Sequence, residues 1–284
     1  MPNDVTIAQA IEETTQTLLP VAGDREEAAC QARAILCEAL GTDLLGLLLR
    51  KDEPFPDRCR AATAQMVLKR LDSEPLQYIF GEWDFMGLTF KLGRGVLIPR
   101  QDTETLCEHA LILAGQRGYK TGLDVCCGSG CIGIALAYRG GLKVVLADIA
   151  PDALRYAMEN AHLNKVNAQV MQSDMFKRVS GKFDMIFCNP PYIASGDLAS
   201  LQREVKKEPL IALDGGEDGM DFYRRIAAEY KAYLNDGGVM LLEVGKGQAR
   251  DVLSMFETGY TVQDLCGVER VVVVENGYAA REDK

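Results

Sequence analysis

The fold of this chain is decided by the stretch Phe183-Asp184-Met185-Ile186-Phe187-Cys188-Asn189-Pro190-Pro191-Tyr192. Its apolar part is short enough for a buried strand, which must stop at Asn189 because proline lacks the backbone N–H that a sheet ladder needs. The turn that follows holds an amide, free carbonyl oxygens and an aromatic ring close together. Since open α/β sheets bind ligands at the carboxyl ends of their strands, this turn predicts a functional site if the chain supplies a sheet.

Alternating strand and helix patterns surround this stretch. Strands are predicted at residues 123–127, 143–149, 168–172, 183–188, 238–244, 260–265 and 270–275, and helices at 131–138, 151–163, 222–234 and 249–256. Strands that alternate with helices predict a mostly parallel, doubly wound sheet. The last two strands are too close for a crossover helix, so one member of the sheet is expected to be antiparallel.

The amino-terminal part of the chain has a different periodicity. Residues 1 to about 73 carry apolar stripes at helical spacing, which predict a small helical bundle. One such stripe consists of Ile7, Ile11, Thr14 and Leu18. From Pro75 to Arg100 the period falls to about two, and Met86-Gly87 fits a tight hairpin turn. Beyond the hairpin, Asp102 or Thr103 is expected to cap the next helix.

Composition is that of an ordinary soluble globular protein. The chain has 284 residues, of which 48% are apolar and 25% charged, enough for two domains. A formal net charge of −10 argues against a surface that grips a phosphate backbone, so no direct contact with nucleic acid is expected. We find no signal-peptide pattern and no apolar run of transmembrane length, so no membrane association is expected.

Cysteines raise two questions, about disulfides and about metal. The count of nine is odd, and Cys126, Cys127 and Cys131 crowd into one segment, so we expect reduced thiols in a cytoplasmic protein. The same cluster suggests a metal site, but the chain has two histidines, His109 and His162, and neither has ligand spacing. Packing explains the cluster better, and no metal is expected.

The loop after the first strand of the sheet predicts a cofactor site. In Asp124-Val-Cys-Cys-Gly-Ser-Gly130, glycines at 128 and 130 let the backbone approach a ligand, and the following helix supplies unpaired N–H groups. Because position 126 is Cys, the loop is only a partial match to the dinucleotide fingerprint.

Two further acidic residues follow the next two strands. Asp148 is placed to accept hydrogen bonds from two vicinal ribose hydroxyls. Asp174 is placed to accept from an adenine amino group, with Met175 against the ring. Either acid alone fits a helix cap or a solvated loop, but three sites at successive strand ends favour a bound adenosyl group.

With these residues and the Asn-Pro-Pro-Tyr tetrapeptide, the chain resembles class I S-adenosylmethionine-dependent methyltransferases. The tetrapeptide is shared by families that methylate a planar, sp²-conjugated nitrogen. More narrowly, the whole chain resembles the PrmC/HemK family, the peptide chain release factor glutamine-N5 methyltransferases. The stretches that carry this resemblance are Pro75-Leu-Gln-Tyr-Ile-Phe-Gly-Glu-Trp83, Gly95-Val-Leu-Ile-Pro-Arg100, Asn189-Pro-Pro-Tyr-Ile193, Ala212-Leu-Asp-Gly-Gly-Glu-Asp-Gly219 and Leu241-Leu-Glu-Val-Gly245.

This resemblance implies a fold, a domain order and an activity. The fold is α/β, a Rossmann-like, mostly parallel seven-stranded sheet with an amino-terminal helical bundle and a connecting β-hairpin. Residues 1–74 form a substrate-recognition domain, 75–100 a hairpin linker and 101–284 the methyltransferase domain. The activity is methyl transfer from S-adenosyl-L-methionine, which leaves S-adenosyl-L-homocysteine, to the glutamine of the Gly-Gly-Gln loop in class I release factors. The protein is expected to act as a cytoplasmic monomer.

The resemblance also implies roles for single residues. Asn189, Pro190 and Tyr192 are the catalytic set: the Asn189 side-chain oxygen and the Pro190 carbonyl each accept one N–H of the substrate amide. Pro191 and Arg100 complete the substrate site, although Arg100 fits a surface carboxylate equally well. The cofactor site comprises Asp124, Cys126, Cys127, Gly128, Ser129, Gly130, Asp148, Asp174, Met175 and Asn189.

One departure and several alternatives stay open. The family usually has Gly where this chain has Cys126, so we expect a slightly reshaped loop. The substrate can instead be a ribosomal-protein glutamine or an exocyclic amino group of a nucleic-acid base, although the acidic composition disfavours the base. A non-catalytic adaptor that binds release factor is disfavoured by intact Asn189 and Asp148, and a nicotinamide oxidoreductase is weaker still.

Overall fold

A computed structural model describes residues 5–277, which form two compact units. The first unit contains the chain up to Gly81 together with Arg203–Lys207, and the second begins at Glu82 and contains the remainder. No helix within residues 5–277 is long and apolar enough to cross a membrane. The assignment of residues 1–74 to substrate recognition, 75–100 to a linker and 101–284 to methyl transfer stays a prediction.

The first unit is the predicted helical bundle. Its helices are α1 (Ile7–Ala22), α2 (Arg25–Leu40), α3 (Leu44–Leu49), α4 (Asp57–Leu71) and α5 (Leu76–Phe80), and Val205–Lys207 add a 3₁₀ turn. Side chains cap the first three helices, as Asp24 does by accepting from the Glu27 N–H at 2.8 Å. The extended chain predicted from Pro75 is wrong for α5. Pro75 leads into that helical turn, and Gly81 in the left-handed conformation ends it.

The second unit begins with the predicted hairpin. Strands β1 (Glu82–Phe85) and β2 (Leu88–Lys91) pair antiparallel, with Phe85 opposite Leu88. Met86 and Gly87 between them have φ of +52° and +69°, as a two-residue type I′ turn requires. The Met86 N–H donates to Glu104 at 2.7 Å. The turn predicted at Met86-Gly87 is confirmed.

Seven strands form the sheet of the second unit, in the order β5-β4-β3-β6-β7-β9-β8. They are β3 (Thr121–Val125), β4 (Lys143–Asp148), β5 (Gln169–Gln172), β6 (Phe183–Cys188), β7 (Leu234–Glu243), β8 (Gly259–Gln263) and β9 (Glu269–Glu275). β9 is antiparallel to both of its neighbours, and the other pairs are parallel. This confirms the predicted mostly parallel sheet with one antiparallel member.

Helices cover both faces of this sheet. Helices α6 (Gln101–Arg117), α7 (Cys131–Gly140) and α8 (Pro151–Leu163) contribute to the buried cluster on one face. Helices α9 (Asp221–Glu229) and α10 (Ala249–Leu253) contribute to the cluster on the other. Three 3₁₀ turns complete the unit, at Ser195–Ser200, Leu210–Ala212 and Tyr230–Ala232.

Several predicted boundaries are wrong, among them the end of the helix predicted at 249–256, which stops at Leu253. The helix predicted to reach residue 234 ends at Glu229, and β7 begins at Leu234 instead of residue 238. The added start of β7 pairs with β6 across a register shift between Phe183 and Met185. Helix α6 begins at Gln101, so neither Asp102 nor Thr103 caps it. Thr103 is instead buried within the helix. It lies at helical spacing from Leu106, Cys107 and Ala110, so it belongs to the same buried face of α6.

Candidate active site

A pocket lies at the carboxyl ends of the central strands of the second unit. It is lined by the predicted residues Cys126, Cys127, Gly128, Ser129, Asp148, Asp174, Met175, Asn189 and Pro191, together with residues 95–97 and Pro99 before α6 and residues of the 209–212 segment. Sequence reasoning therefore placed most of the predicted cofactor residues around one cavity. Asp124 and Gly130 are not among the residues that line it.

The loop after β3 turns through three left-handed positions, Cys126, Gly128 and Gly130, with φ of +58°, +55° and +78°. Only glycine adopts this conformation without steric cost, so Cys126 holds a strained backbone. Its Sγ lies 3.6 Å from Met175 Sδ. Gly130 is the residue before α7, and a Cβ there would lie 2.9 Å from the Ile134 side chain.

Asp148 and the loop hold each other in place. The Gly128 and Ala150 N–H groups each donate to the Asp148 carboxylate at 2.9 Å. Burial raises the pKa of this carboxyl, and the backbone N–H donors oppose that shift. A half-buried carboxylate in the pocket wall retains lone pairs for further donors, as the predicted ribose contact requires.

Asp124 is fully buried behind the same loop. Its Oδ2 accepts from the Gly133 N–H at 2.8 Å, and its Oδ1 has no hydrogen-bond partner within the part of the chain that the structure describes. Burial raises its pKa from 3.8 to about 7, although the Gly133 bond opposes the shift. A direct contact between Asp124 and a cofactor stays a prediction.

Asp174 is engaged by two cations of its own chain. Lys177 lies 2.6 Å from one carboxylate oxygen and Arg225 lies 2.5 Å from the other, and these partners lower the pKa of Asp174. The group is therefore ionised and acceptor-only, with lone pairs left on each oxygen. Its predicted contact with an adenine amino group stays a prediction, as does the stacking of the buried Met175 on the ring.

The turn after β6 contributes Asn189 and Pro191 to the pocket lining, whereas the predicted Pro190 and Tyr192 are not among the lining residues. Asn189 is half-buried there, and Pro190 and Pro191 are buried. Burial raises the pKa of Tyr192 to about 12, so its hydroxyl is neutral near neutral pH. The Gln248 amide donates to the Tyr192 carbonyl at 2.9 Å, which fixes the far end of the turn.

A glycine loop backs this turn. The Ile193 N–H donates to the Leu213 carbonyl at 3.0 Å, and the Gly215 N–H donates to the Ile193 carbonyl at 2.8 Å. A Cβ on Gly215 would lie 2.8 Å from the Pro191 carbonyl oxygen, and a Cβ on Gly219 would lie 2.4 Å from the Tyr192 carbonyl oxygen. The two segments approach so closely that these positions admit only glycine.

Arg100 pairs with a carboxylate of its own chain. Its guanidinium contacts Glu208, and the other oxygen of Glu208 accepts from the Ile98 N–H at 3.0 Å. Glu208 is only 6% exposed. Of the two alternatives for Arg100, the structure contains the ion pair, and a contact with substrate stays a prediction.

Two residues near Asn189 were missed by sequence reasoning. The Asn189 Nδ2 lies 3.5 Å from Thr103 Oγ1, and the Thr103 hydroxyl also hydrogen-bonds to the Glu243 side chain. Burial raises the pKa of Glu243 from 4.5 to about 7. A signal was present, because Glu243 ends an otherwise apolar strand and Thr103 interrupts an apolar helix face.

Nothing in the described part of the chain adds a metal centre to this site. Between residues 5 and 277 no three His, Cys, Asp or Glu residues are grouped so that they can hold a metal ion. All nine cysteines are free thiols. Burial raises the pKa values of Cys107 and Cys127 well above that of an ordinary thiol.

Comparison with known proteins identifies the family. The model of the PrmC N-terminal domain matches residues 9–81, and that of the methyltransferase small domain matches residues 111–216. A release factor glutamine methyltransferase from Geobacter sulfurreducens is 42% identical over 255 residues, which cover 87% of this chain and 89% of the relative. Its counterpart from Thermodesulfovibrio yellowstonii is 38% identical, with 86% and 91% covered. The chain belongs to the release factor glutamine methyltransferase family.

Solved structures share the fold of this family member. A Pyrococcus furiosus methyltransferase matches with a TM-score of 0.51 and 16% identity, over 77% of this chain and 98% of the other. A T. thermophilus 16S rRNA N2 G1207 methyltransferase, solved with AdoMet and guanosine, matches with a TM-score of 0.52 and 21% identity, over 69% and 49%. At such identities the likeness shows the fold alone. The predicted family, fold class and S-adenosylmethionine-dependent methyltransferase activity are confirmed.

The pocket fits the cofactor of this family. S-adenosylmethionine carries ribose hydroxyls that donate hydrogen bonds and a positively charged sulfonium group. The pocket wall contains the Asp148 carboxylate for the former, and Gly128, with φ of +55°, brings the backbone close without a side chain. Carboxylates at Asp148 and Asp174 suit a cation.

Proposed function

We propose that this protein transfers a methyl group from S-adenosylmethionine to the side-chain amide nitrogen, N5, of the glutamine in the Gly-Gly-Gln loop of class I peptide chain release factors. The observation that carries the proposal is the turn after β6. It brings the Asn189 side chain to the wall of the cofactor pocket, on a backbone fixed by two buried prolines. The curated relatives are named release factor glutamine methyltransferases, which supports a release-factor glutamine as the substrate.

The chemical difficulty lies in the nucleophile. The lone pair of a carboxamide nitrogen is delocalised into its carbonyl, so the nitrogen attacks only when it is well oriented. In the proposal, the Asn189 Oδ1 and the Pro190 carbonyl oxygen each accept one N–H of the substrate amide and align the nitrogen with the methyl group. Tyr192, whose hydroxyl stays neutral, forms a wall for the glutamine side chain.

These acceptors contribute more in the transition state than in the ground state. Positive charge develops on the amide nitrogen as the new bond forms, so the two oxygens bind its hydrogens more strongly at that point. When bound, S-adenosylmethionine supplies a methyl group on a positively charged sulfur. The nitrogen loses one proton after transfer, and the mechanism needs no strong general base.

The proposal also assigns the remaining parts of the chain. Asp124, Cys126, Cys127, Gly128, Ser129, Gly130, Asp148, Asp174 and Met175 hold the cofactor with Asn189, and the helical bundle recognises the release factor. We propose that the protein acts in the cytoplasm as a monomer. Its nine free thiols suit a reducing compartment.

A labelling experiment tests this function. The protein is incubated with S-adenosylmethionine labelled in its methyl group and, separately, with purified release factor, ribosomal protein and DNA. We expect label in release factor alone, and none when the glutamine of its Gly-Gly-Gln loop is replaced. Label only in DNA would overturn the proposal. Label that persists on the replaced release factor would show that the target residue is wrong.

A further inference from the structure

Asn189 directly follows β6, and Glu243 is the last residue of the neighbouring parallel strand β7. Cys188 of β6 pairs with Leu242 of β7, so the next residue of each strand lies beside the other. Cys188 and Leu242 contribute to the cluster under α9 and α10. Because side chains alternate between the faces of a strand, Asn189 and Glu243 point to the opposite face, on which α6 packs.

Thr103 of α6 connects these two side chains. Its Oγ1 lies 3.5 Å from the Asn189 Nδ2 and also hydrogen-bonds to the Glu243 carboxyl. Thr103 is 1% exposed and Glu243 is 2% exposed, so water does not replace either contact. The Glu243 Oε2 has no hydrogen-bond partner within residues 5–277.

The direction of these hydrogen bonds follows from the groups themselves. An ionised carboxylate only accepts hydrogen bonds, and a hydroxyl has one proton to donate. Thr103 must therefore donate to ionised Glu243, which leaves its lone pairs to accept from Asn189. A carbonyl oxygen cannot donate, so the amide group of Asn189 must direct its NH₂ to Thr103 and its Oδ1 away from it.

We propose that Thr103 and Glu243 are positioning residues that determine which end of the Asn189 amide faces the substrate. The two ends have nearly the same size and shape, and only the oxygen can accept an N–H of the glutamine amide. With the amide flipped, its NH₂ would face the NH₂ of the substrate, donor against donor. This inference rests on the proposed function, because it assigns the orientation of the acceptor that the reaction uses.

The contacts of Thr103 with Asn189 and Glu243 predict a specific kinetic effect. Without the Thr103 hydroxyl, both orientations of Asn189 become accessible and only one of them is productive. The loss should appear in kcat. Thr103 also lines the pocket, but cofactor affinity should change little, because Thr103→Val keeps the shape of the side chain. A merely structural role for these residues would lower stability and leave kcat per folded enzyme unchanged.

Three variants of the full-length protein test this inference. Thr103→Val keeps the shape of the side chain but removes the hydroxyl, Thr103→Ser keeps the hydroxyl, and Glu243→Gln replaces the acceptor-only group by one that also donates. Methyl transfer to release factor is measured at about pH 8.5, where Glu243 is ionised. The dissociation constant of S-adenosylhomocysteine and the thermal unfolding midpoint are measured for each variant.

We expect Thr103→Val to lower kcat by about 10- to 100-fold and Glu243→Gln by about 10-fold, with cofactor affinity within about threefold of the original. Thr103→Ser should recover most of the activity. Thr103→Val with unchanged kcat would overturn the inference, and so would equal losses in Thr103→Val and Thr103→Ser. If the unmodified protein transfers no methyl group to release factor, the proposed function fails instead, so the two failures are distinguishable.

Discussion

Two turns of the second unit follow the adjacent parallel strands β3 and β6, and they present opposite kinds of hydrogen-bonding group. The turn after β3 passes through the left-handed residues Cys126, Gly128 and Gly130 and presents backbone N–H groups, one of which binds Asp148. The turn after β6 contains two buried prolines and presents carbonyl oxygens and an amide. Glycine frees the backbone to come close with its donors, whereas proline removes donors and fixes acceptors.

The difference teaches that strand ends at one edge of a sheet can be specialised by a few residues. A cofactor with hydroxyls and a positive charge needs carboxylates supported by N–H donors. An amide substrate needs hydrogen-bond acceptors whose positions are fixed.

The largest effect should come from Asn189→Ala. Removal of the acceptor should lower kcat by about 10²- to 10³-fold, as for the loss of a preorganised hydrogen-bonding group in other enzymes, while cofactor affinity changes only a few-fold. Methyl-transfer assays and calorimetric titration with S-adenosylhomocysteine measure the two quantities. Asn167→Ala, at an exposed position before β5, should change neither. Comparable loss of turnover and cofactor affinity would show that Asn189 mainly builds the cofactor pocket.

Gly215→Ala tests whether the proline turn must stay fixed. The new Cβ would lie 2.8 Å from the Pro191 carbonyl oxygen and the Tyr192 Cα, both of which are backbone atoms, so the turn must shift. A shift of a few tenths of an ångström at a positioning group should lower kcat about 10-fold or more. Gly196→Ala is the control, because nothing lies within 4 Å of a Cβ there. Equal activities of the two variants would show that the turn tolerates displacement.

The sequence predicted much of the comparison between the turns. Strand periodicity and the two prolines placed the end of β6 at Cys188, and the glycines at 128 and 130 placed the loop after β3. These features are local, because backbone conformation at proline and glycine depends on the residue itself. The alternation of strands and helices predicted a mostly parallel sheet with one antiparallel member, but the sequence did not predict the order of the strands.

The contacts between elements were not predictable in the same way. No local pattern indicates that Arg100 pairs with Glu208, or that Asp174 pairs with Arg225, because each pair joins distant parts of the chain. The helix at Leu76–Phe80 was missed since its alternating aromatic residues match a strand pattern. Thr103 was interpreted as a cap from its position, whereas tertiary packing places it inside the helix.

Asp124 and Glu243 are buried carboxyls, and the stability of the protein should depend on pH through them. Burial raises the pKa of Asp124 and of Glu243 to about 7 in the folded protein, well above their values in the unfolded chain. The folded state then binds more protons than the unfolded state between about pH 4 and 7, so the free energy of unfolding should fall as the pH rises through this window. The stability that these two carboxyls contribute to the folded state at low pH is lost by about pH 8.

Asp124→Asn and Glu243→Gln should each flatten this pH dependence. Between about pH 5 and 8, the free energy of unfolding should fall by about 2 to 3 kcal/mol less in either variant than in the unmodified protein. Urea unfolding at a series of pH values measures the slope. A slope unchanged in both variants would mean that neither carboxyl titrates in this range.

The smallest effect should come from Cys126→Gly. The left-handed backbone of Cys126 costs about 1 kcal/mol or more, and glycine removes this cost. Glycine also adds about 0.5 to 1 kcal/mol of freedom to the unfolded chain, and the contact with Met175 is lost. The terms oppose each other, so the free energy of unfolding should change by less than about 1 kcal/mol.

Cys127→Gly is the matched comparison, because the same replacement is made one residue later. Cys127 is 6% exposed and has no left-handed backbone to relieve, so the variant loses buried surface and gains unfolded-state freedom together. Its free energy of unfolding should fall by about 2 to 3 kcal/mol. Urea unfolding of both variants at about pH 7 measures the difference. If Cys126→Gly is destabilised as much as Cys127→Gly, the strained conformation of Cys126 contributes nothing measurable, and its side-chain contacts decide the stability of the loop.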